Sequence, residues 1–373
     1  MRILALEPYY GGSHRAFLDG WIAHSRHRWT VLGLPAFKWK WRMRHAPITF
    51  ADEVAERVES GGAWDVVFCS DMLNLAECRG LTHESVRHLP AVAYFHENQL
   101  TYPVRVEDER DYQYCFSNIA TALAADAAWF NSAFHRDEFL DAIPRFLEKL
   151  PDHQAELGAV VARIRQRAAV HPPGIEPIDA PGRAEGRAGA PLRILWAARW
   201  EFDKAPEVFF EAVRRLRDRG IAFRLSVIGE QFRARPAVFD RAQTEFAGRI
   251  DRWGYQEGRA AYERALAEAD VVVSTALHEF FGISIVEAVA AGCYPVVPRR
   301  LAYPEVLGAL DKAGSGPHFY DGGAEELAGL LGSLAERDDL WQGDSGAGVR
   351  AVSGCFWATR APALDDAIQE AGR

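Results

Sequence analysis

Short apolar runs alternate with longer amphipathic segments along almost the whole chain, and the alternation restarts after a Pro/Gly-rich stretch near the middle. This pattern is typical of β-α-β units, in which a mainly parallel sheet is covered by helices on both faces. We therefore predict an α/β protein. The predicted strands are 2–6, 29–34, 66–69, 91–95 and 127–131, then 192–198, 223–228, 250–254, 271–275 and 294–297. The predicted helices include 13–25, 51–60, 112–124, 133–149 and 206–219.

The Pro/Gly-rich stretch, 173–191, can neither sustain a helix nor pack into a core, so we predict an interdomain linker there. Two Rossmann-like doubly wound domains follow, at 1–172 and 192–350, with a C-terminal helix in 351–373 packing back on the first. A chain of 373 residues has the length of two domains of roughly 150 residues each. Parallel sheets bind ligands at the carboxyl ends of their strands. We therefore expect the two domains to face a central cleft and the functional residues to follow strands.

Composition excludes several classes of protein. Forty-three Lys and Arg against 52 Asp and Glu give a net charge of −9, so any contact with nucleic acid must be made by a local basic patch. No charged leader and no uncharged apolar run of about 18 residues is present, which favours a cytoplasmic protein. The five cysteines are odd in number and outside any C-x-x-C pair, so we predict neither a disulfide framework nor a zinc site.

Two glutamates eight positions apart, Glu279 and Glu287, follow the predicted strand 271–275 with Gly282 between them. If a helix begins near Gly282, its free amides and positive dipole end form an anion site suited to a diphosphate. Glu287 would lie about 7.5 Å further along the helix. Glu279 could then accept hydrogen bonds from a sugar, and Glu287 from a ribose. Taken alone, such a pair is more often a core helix beside a loop glutamate.

A second segment just past strand 192–198 strengthens the interpretation. It carries Arg199 and Lys204, fixed positive charges that could neutralise a departing diphosphate without a metal ion. Gly229 ends the next strand and permits close backbone approach, and Tyr255 follows a further strand near the expected base pocket. Each of these two is equally consistent with a plain turn.

The first half offers two strand-end segments of its own. Gly12 and Ser13 follow the first strand and open a helix, where their backbone could approach a ligand. His96, Asn98 and Gln99 follow strand 91–95, and such a density of hydrogen-bonding groups at a strand end favours function over structure.

An unusual segment interleaves cations with tryptophans. Cations contact phosphates while tryptophan and arginine planes stack on bases, so this composition is typical of an RNA-binding surface. The alternative is an exposed edge strand with alternating charge. The residues are Lys38, Trp39, Lys40, Trp41, Arg42 and Arg44.

The glutamate pair together with Arg199 and Lys204 resembles the donor site of retaining glycosyltransferases of family 4. Those enzymes have the GT-B fold, two Rossmann-like domains around a cleft, and use no catalytic metal. The resemblance implies that Arg199 and Lys204 hold the diphosphate, that Glu279 positions the hexose and that Glu287 binds the ribose. It also assigns phosphate or sugar contacts to the amides of Phe281, Gly282 and Ile283.

A more specific resemblance extends over nearly the whole chain. Residues 7–14, 34–42, 94–104, 110–114 and 278–282 resemble the tRNA-queuosine alpha-mannosyltransferase family, although the linker is shorter than is typical there. The family implies transfer of mannose from GDP-mannose to the cyclopentenediol of queuosine in tRNA, with retention of configuration. It implies that His96 lies beside the donor sugar, with Asn98, Gln99 and the 38–44 segment on the acceptor side. The Ala- and Arg-rich composition is typical of a bacterial member.

Two alternatives remain open from the sequence. The chain could be a family-4 glycosyltransferase that uses another nucleotide sugar and a lipid, glycan or small-molecule acceptor, although such an acceptor gives no reason for the 38–44 segment. It could also be a non-catalytic protein that binds a nucleotide sugar or tRNA, although both Glu279 and Glu287 are present with both cations. No side chain distinguishes guanine from uracil or mannose from galactose.

Overall fold

The computed structural model describes residues 1–106, 110–151, 157–178, 189–232, 235–312 and 318–373. They divide into two compact units, Met1–Gly174 with Trp357–Arg373, and Ile175–Phe356. Part of the predicted linker, 179–188, lies outside the described residues. The second unit begins before residue 192 and continues past 350, because the Ile175 amide donates to the carbonyl of Cys355 at 2.8 Å and ties both ends together.

The first unit is a parallel six-stranded sheet with helices on both faces. Its strands are β1 (Arg2–Tyr10), β2 (Arg28–Pro35), β3 (Val66–Ser70), β4 (Ala91–Phe95), β5 (Ala127–Phe130) and β6 (Ala168–Val170). Its helices are α1 (Gly12–His24), α2 (Trp39–Glu59), α3 (Leu75–Leu81), α4 (Glu84–Arg87), α5 (Tyr112–Ala124), α6 (Ala133–Leu147), α7 (Leu157–Arg165) and the C-terminal α15 (Trp357–Ala371).

The strand order of this sheet is β2-β1-β3-β4-β5-β6, so its direction of winding reverses between β1 and β3. Alternate side chains of β1 enter two different cores: Leu4 and Leu6 pack in one, and Ile3 and Ala5 in the other. The loops that leave the sheet at such a reversal diverge and open a crevice, which is where open α/β sheets bind ligands.

Helix α15 completes this unit although it lies at the far end of the chain. The Trp357 ring packs so closely on Gly20 and Gly174 that a Cβ at either glycine would lie 2.3 or 2.2 Å from it. The buried carboxylate of Asp365 accepts a hydrogen bond from the Trp21 indole at 2.8 Å. The C-terminal helix is therefore part of the first unit's core.

The second unit repeats the architecture, with parallel strands in the order β12-β11-β10-β7-β8-β9. Its strands are β7 (Leu192–Ala197), β8 (Phe223–Ile228), β9 (Ile250–Gly254), β10 (Val271–Val273), β11 (Tyr294–Pro298) and β12 (Phe319–Tyr320). Its α-helices are α8 (Pro206–Asp218), α9 (Val238–Glu245), α10 (Arg259–Glu268), α11 (Ile283–Ala290), α12 (Tyr303–Lys312), α13 (Ala324–Ala335) and α14 (Ala347–Val352). The winding reverses between β7 and β10.

The predicted α/β class with two doubly wound domains is confirmed, and ten strands lie where the sequence predicts them to within a few residues. The largest difference is α2, which begins at Trp39 rather than near residue 51. The 38–44 segment is thus helical, and the alternative of an edge strand is wrong. Its buried positions, Met43, Ala46, Phe50 and Val54, recur at helical spacing that the surface cations obscure.

The sequence does not predict strands β6 and β12, because they are only three and two residues long. Over the described parts of the chain, we find no helix with the length and apolar character needed to cross a membrane.

Candidate active site

The first cluster of polar side chains lies in the second unit, where β7 and β10 end at the reversal point. After β7 the chain turns through a short 3₁₀ segment, Phe202–Lys204, and enters α8. The Thr275 hydroxyl donates to the Lys204 carbonyl at 2.7 Å, and the Leu277 amide donates to the Asp203 carbonyl at 2.8 Å. These bonds join the two strand-end loops.

Lys204 occupies the centre of this cluster. Its Nζ lies 2.8 Å from the His278 carbonyl, 3.4 Å from Glu279 Oε2 and 3.2 Å from Asp203 Oδ2, and 9% of the side chain is exposed. Burial opposes the charge, but Glu279 and Asp203 outweigh it and raise the pKa of Lys204 above its ordinary value. Burial likewise works against the charge of Glu279, but Lys204 holds the pKa of that carboxyl below its ordinary value. Both groups are therefore ionised at neutral pH.

Arg199 lies earlier in the loop after β7, with its Nε 3.4 Å from Glu201 Oε2 and a side chain that is 41% exposed. Burial raises the pKa of the Glu279 carboxyl, and Arg199 lowers it, with a smaller effect than Lys204 and His278. The loop therefore carries two cations, one buried and one accessible.

Helix α11 begins where the sequence predicts. Gly282 has a left-handed backbone, with φ of 84°, and its carbonyl accepts from the amides of Ile285 and Val286. The amides of Ile283 and Ser284 precede these and lie at the start of the helix, where backbone N–H groups have no intrahelical acceptor. The Ser284 hydroxyl donates to the Ala197 carbonyl at 2.9 Å, which fixes the helix start against the end of β7. The helix therefore directs backbone N–H groups to the same edge of the sheet as Lys204.

The neighbouring residues define what can contact a ligand here. A Cβ at Gly282 would lie 2.8 Å from the Tyr303 ring, so glycine is required for steric as well as backbone reasons. The side chain of Phe281 is 5% exposed and belongs to the core, which leaves only its backbone for binding. A small cavity at this edge is lined by, among others, Trp196, Lys204, Ser274, Glu279, Ser284 and Tyr303.

Glu287 lies further along α11 and is held by two residues of α10. Arg259 Nη1 donates to its Oε1 at 2.6 Å, and the Tyr262 hydroxyl donates to its Oε2 at 2.8 Å. The sequence analysis missed both donors. Their spacing of three places them on one face of a helix, but no local signal connects that face to α11.

Gly229 and Tyr255 have different environments. Gly229 has φ of 150°, and a Cβ there would lie 1.8 Å from the Ala198 carbonyl oxygen. Its observed role is therefore close backbone packing beneath the loop that carries Arg199 and Lys204. The Tyr255 side chain is 66% exposed and follows Gly254, the last residue of β9.

We expect the Gly229→Ala variant to lower kcat/KM by roughly 100-fold, because the added methyl group must displace the Ala198 backbone and with it the cationic loop. Steady-state kinetics on folded protein would measure the loss. Gly248→Ala is the matched control, since a Cβ there meets nothing within 4 Å. Equal activity of the two variants would contradict the prediction.

The second cluster lies at the reversal point of the first unit. Gly12 and Ser13 are exposed at the start of α1, as predicted, and Gly12 has φ of 52°. Behind them the buried carboxylate of Glu7 accepts from the Tyr9 amide and the Ser70 hydroxyl at Oε1, both at 2.9 Å. Its Oε2 lies 3.3 Å from His14 Nδ1.

The rings of His14 and His96 lie against each other in a tilted arrangement, with centroids 4.1 Å apart and an angle of 37° between their planes. The fully buried Asp71 accepts the His96 amide at 2.8 Å through Oδ1, and burial raises the pKa of this carboxyl well above its ordinary range. No sequence pattern singles out Glu7, His14 and Asp71, because each is an isolated polar residue: Glu7 lies inside β1, His14 in the first turn of α1 and Asp71 directly after β3. Among the described residues, one set has ligand atoms close enough to share a metal ion: Glu7, His14 and His96, within 4.8 Å.

The prediction for Asn98 needs correction. Its side chain is fully buried, and Oδ1 accepts from the amides of Leu100 and Thr101 at 3.0 Å. The amide side chain therefore closes its own loop and does not face an acceptor. Gln99 remains half-buried, with Nε2 donating to Glu97 at 3.1 Å.

The 38–44 segment consists of Lys38, the residue before α2, and the first six residues of that helix. Trp41 is 70% exposed, and Lys38, Lys40 and Arg44 are also exposed. Trp39, which was predicted to stack on bases, is partly buried. Its ring packs against Tyr114, with centroids 5.0 Å apart, and is therefore not a free stacking surface.

Phe37, just before the helix, replaces Trp39 as the second exposed aromatic residue, with 53% of its surface accessible. The guanidinium of Arg42 lies 4.5 Å from the centroid of its ring. Arg42 Nε also donates to the Pro35 carbonyl at 3.0 Å, which fixes the turn into the helix.

Two doubly wound units, with cations after the first strand of the second unit and a glutamate pair flanking the start of α11, define a glycosyltransferase of the GT-B class. Comparison with known proteins agrees. Sucrose-phosphate synthase from Thermosynechococcus elongatus superposes with a TM-score of 0.72 at 13% identity, covering 99% of each chain. An E. coli structure described as "Trehalose-6-phosphate from E. coli bound with UDP-2-fluoro glucose" gives a TM-score of 0.66 at 13% identity, covering 100% of this chain and 99% of that one. These likenesses concern the fold alone.

Sequence comparison gives the family. Residues 2–175 match the family model described as tRNA-queuosine alpha-mannosyltransferase N-terminal, and residues 191–336 match glycosyl transferases group 1. A tRNA-queuosine alpha-mannosyltransferase of Drosophila melanogaster is 36% identical over 315 residues, which cover 82% of this chain and 81% of that protein. The chain belongs to the tRNA-queuosine alpha-mannosyltransferase family. A GDP-mannose-dependent alpha-(1-6)-phosphatidylinositol dimannoside mannosyltransferase of Mycobacterium tuberculosis is 32% identical over 119 residues. These residues cover 32% of this chain and 30% of that protein.

Proposed function

We propose that this glycosyltransferase moves mannose from GDP-mannose to the cyclopentenediol of queuosine in tRNA, with retention of configuration. The acceptor follows the name of the Drosophila relative, which matches most of the chain, and the donor agrees with the name of the mycobacterial relative. The observation that carries the proposal is the Lys204–Glu279 ion pair beside the start of α11. Because the acceptor is tRNA, we expect the enzyme to work in the cytoplasm.

The donor diphosphate is bound by Lys204, Arg199 and the first amides of α11. These groups supply positive charge where the leaving group gains negative charge, so the transition state is stabilised more than the ground state. Because two cations and a helix N-terminus fulfil this role, we propose that the reaction needs no metal ion. The accessible Tyr255 and the backbone near Gly229 border the nucleotide.

The sugar and ribose contacts come from carboxylates and one histidine. Glu279, ionised and held by Lys204, accepts hydrogen bonds from sugar hydroxyls, and His96 orients the same sugar. Glu287 accepts from the ribose hydroxyls with a carboxylate whose orientation Arg259 and Tyr262 fix. Gly12 and Ser13 bring backbone near the donor.

The reaction is a front-face substitution. The bond between the anomeric carbon and the diphosphate oxygen breaks, and its electron pair passes to that oxygen. The acceptor hydroxyl oxygen forms the new bond on the same face, and its proton moves to the leaving phosphate. No protein nucleophile takes part, so the residues named here contribute through charge and orientation.

On the acceptor side, the first turn of α2 carries the tRNA contacts. Trp41 and Phe37 offer exposed rings on which bases can stack, and Lys38, Lys40 and Arg44 meet the phosphates. The net charge of −9 opposes binding of a polyanion, and this local basic patch supplies the positive charge that such binding needs.

We expect Trp41→Ala to weaken tRNA binding by about 1–3 kcal/mol, roughly 5- to 150-fold in Kd, because one stacking surface is lost. The KM for the nucleotide sugar should stay unchanged. Filter binding with tRNA and donor kinetics would measure the two effects. Leu81→Ala, which removes another exposed apolar side chain from the same unit, is the control. Equal tRNA affinity of both variants would exclude α2 from the interface.

The overall proposal is tested by incubating the protein with queuosine-containing tRNA and a panel of nucleotide sugars, followed by mass spectrometry of the nucleosides. We expect one hexose to be added to queuosine from GDP-mannose. Transfer from another nucleotide sugar would correct the donor. Donor hydrolysis without transfer to tRNA would point to a different acceptor, and binding without turnover to a non-catalytic protein.

A further inference from the structure

The buried cluster behind His96 contains an ion pair, between Glu7 and His14, that the proposed donor contacts do not explain. Glu7 is 3% exposed and His14 is 7% exposed. Burying two charged groups carries a free-energy penalty that a favourable pairing only partly offsets, so a buried pair of this kind is weak support for a purely stabilising role.

The two carboxylate oxygens of Glu7 have different hydrogen-bond partners. Glu7 Oε1 accepts two donors, from Tyr9 and Ser70, which orients the carboxylate and leaves Oε2 to His14 Nδ1 at 3.3 Å. A carboxylate that receives Nδ1–H holds an imidazole in one orientation, as in carboxylate–histidine pairs generally. His14 is therefore a fixed ring.

The fixed ring meets His96. The two centroids lie 4.1 Å apart, while Phe17 and Tyr94 pack around His96 at 5.2 and 4.7 Å. The backbone of His96 is fixed as well, since its amide donates to Asp71 and its carbonyl accepts from the Asn131 side chain at 2.9 Å. The imidazole of His96 is thus enclosed by side chains from several elements.

We propose that Glu7 and His14 form a positioning pair for His96: the Glu7 carboxylate holds the His14 ring against the His96 ring, and so keeps His96 in one orientation. The inference rests on the proposed function, in which His96 orients the transferred sugar. A neutral imidazole can accept as well as donate a hydrogen bond, whereas an imidazolium can only donate. Neutral His96 can therefore bind a sugar hydroxyl in either sense.

The electrostatics of the cluster agree with this arrangement. Burial opposes the charge of His14, but Glu7, with help from Asp71 and Glu97, raises the pKa of His14 to about 9. Burial, followed by His14 and His135, holds the pKa of His96 well below its ordinary range. The titratable groups that act on the pair are Glu7 from β1, Asp71 after β3, Glu97 after β4 and His135 from α6.

The test follows each histidine by NMR titration of ¹³C-labelled imidazoles, together with the pH profile of kcat. His14→Phe keeps a ring against His96 but removes the charge. We expect the His96 titration midpoint to rise by about one unit or more, because a nearby like charge is lost. Since the neutral form is the active one, the acid limb of kcat should move to higher pH, and kcat near pH 8 should fall as well, because Glu7 no longer fixes the ring that contacts His96.

A second variant, Glu7→Gln, tests the same inference if His14→Phe does not fold. Glu7→Gln leaves both rings in place but removes the carboxylate that charges His14, so the His14 midpoint should fall from about 9 and the His96 midpoint should rise. His88→Phe, which replaces an exposed histidine of the same unit, should change neither.

An unchanged His96 midpoint in the folded His14→Phe and Glu7→Gln variants would overturn the inference. The titration needs no substrate. A rise in the His96 midpoint, combined with a wild-type protein that does not modify queuosine-containing tRNA, would therefore refute the proposed function and leave the control of His96 by His14 standing.

Discussion

Replacing Lys204 with alanine is expected to lower kcat by roughly 10²–10³-fold, the scale seen when one fixed group that stabilises transition-state charge is removed. Lys204 is buried, and its ammonium is held by the His278 carbonyl and by Glu279. Its charge is therefore oriented before the diphosphate departs. Loss of the ammonium also leaves Glu279 without its cation, which disturbs the expected sugar contact.

Single-turnover kinetics with the nucleotide sugar and tRNA would measure this loss, with circular dichroism to establish that Lys204→Ala is folded. Lys204→Arg should recover part of the rate, because it restores the charge with a different shape. Arg241→Ala removes an exposed cation from α9 of the same unit and should leave kcat unchanged. A folded Lys204→Ala enzyme with wild-type turnover would remove Lys204 from the mechanism.

The Asp365→Ala variant is expected to lower the free energy of unfolding of the first unit by about 3 kcal/mol. The carboxylate is 1% exposed and accepts from the Trp21 indole at 2.8 Å, the Ser25 hydroxyl at 2.7 Å and the Arg26 amide at 2.7 Å. Its removal leaves the fully buried Trp21 N–H without an acceptor and loosens α15. This loss is a large fraction of the 5–15 kcal/mol that typically stabilises a domain.

Urea unfolding followed by tryptophan fluorescence would measure the change. Asp366→Ala is a closely matched control, since the side chain of Asp366 is 70% exposed and its contact with Arg26 at 2.6 Å is a surface ion pair worth about 1 kcal/mol or less. If both variants unfold at the same urea concentration, the buried carboxylate does not hold α15 to α1.

Much of the fold could be predicted because strand and helix periodicity is local. The strands Ala91–Phe95, Phe223–Ile228 and Ile250–Gly254 lie where their apolar runs predict them. Helix α2 was misjudged, because its start is dominated by Lys and Arg and because it contains Pro47, a residue that usually ends or bends a helix. The apolar residues that α2 buries, Met43, Ala46, Phe50 and Val54, stabilise the helix despite the charged start and the proline.

The candidate site also contains residues that the local sequence predicts and residues that it does not. Arg199, Lys204 and Glu279 could be identified from the sequence, because residues that directly follow parallel strands meet at one edge of the sheet. Arg259 and Tyr262 could not, since their contact with α11 depends on how two helices pack. Asn98 shows the opposite error, because an amide in a strand-end loop can equally well hydrogen-bond the loop itself.

Patterns within a few residues of one another predict the α/β class, the two-unit organisation and the strand ends where the candidate site residues lie. Which charges are paired is visible only in the folded chain. Trp21 finds Asp365 344 residues away, and Lys204 finds Glu279 75 residues away. Such pairings depend on burial and on the packing of distant elements, which no local pattern of residues encodes.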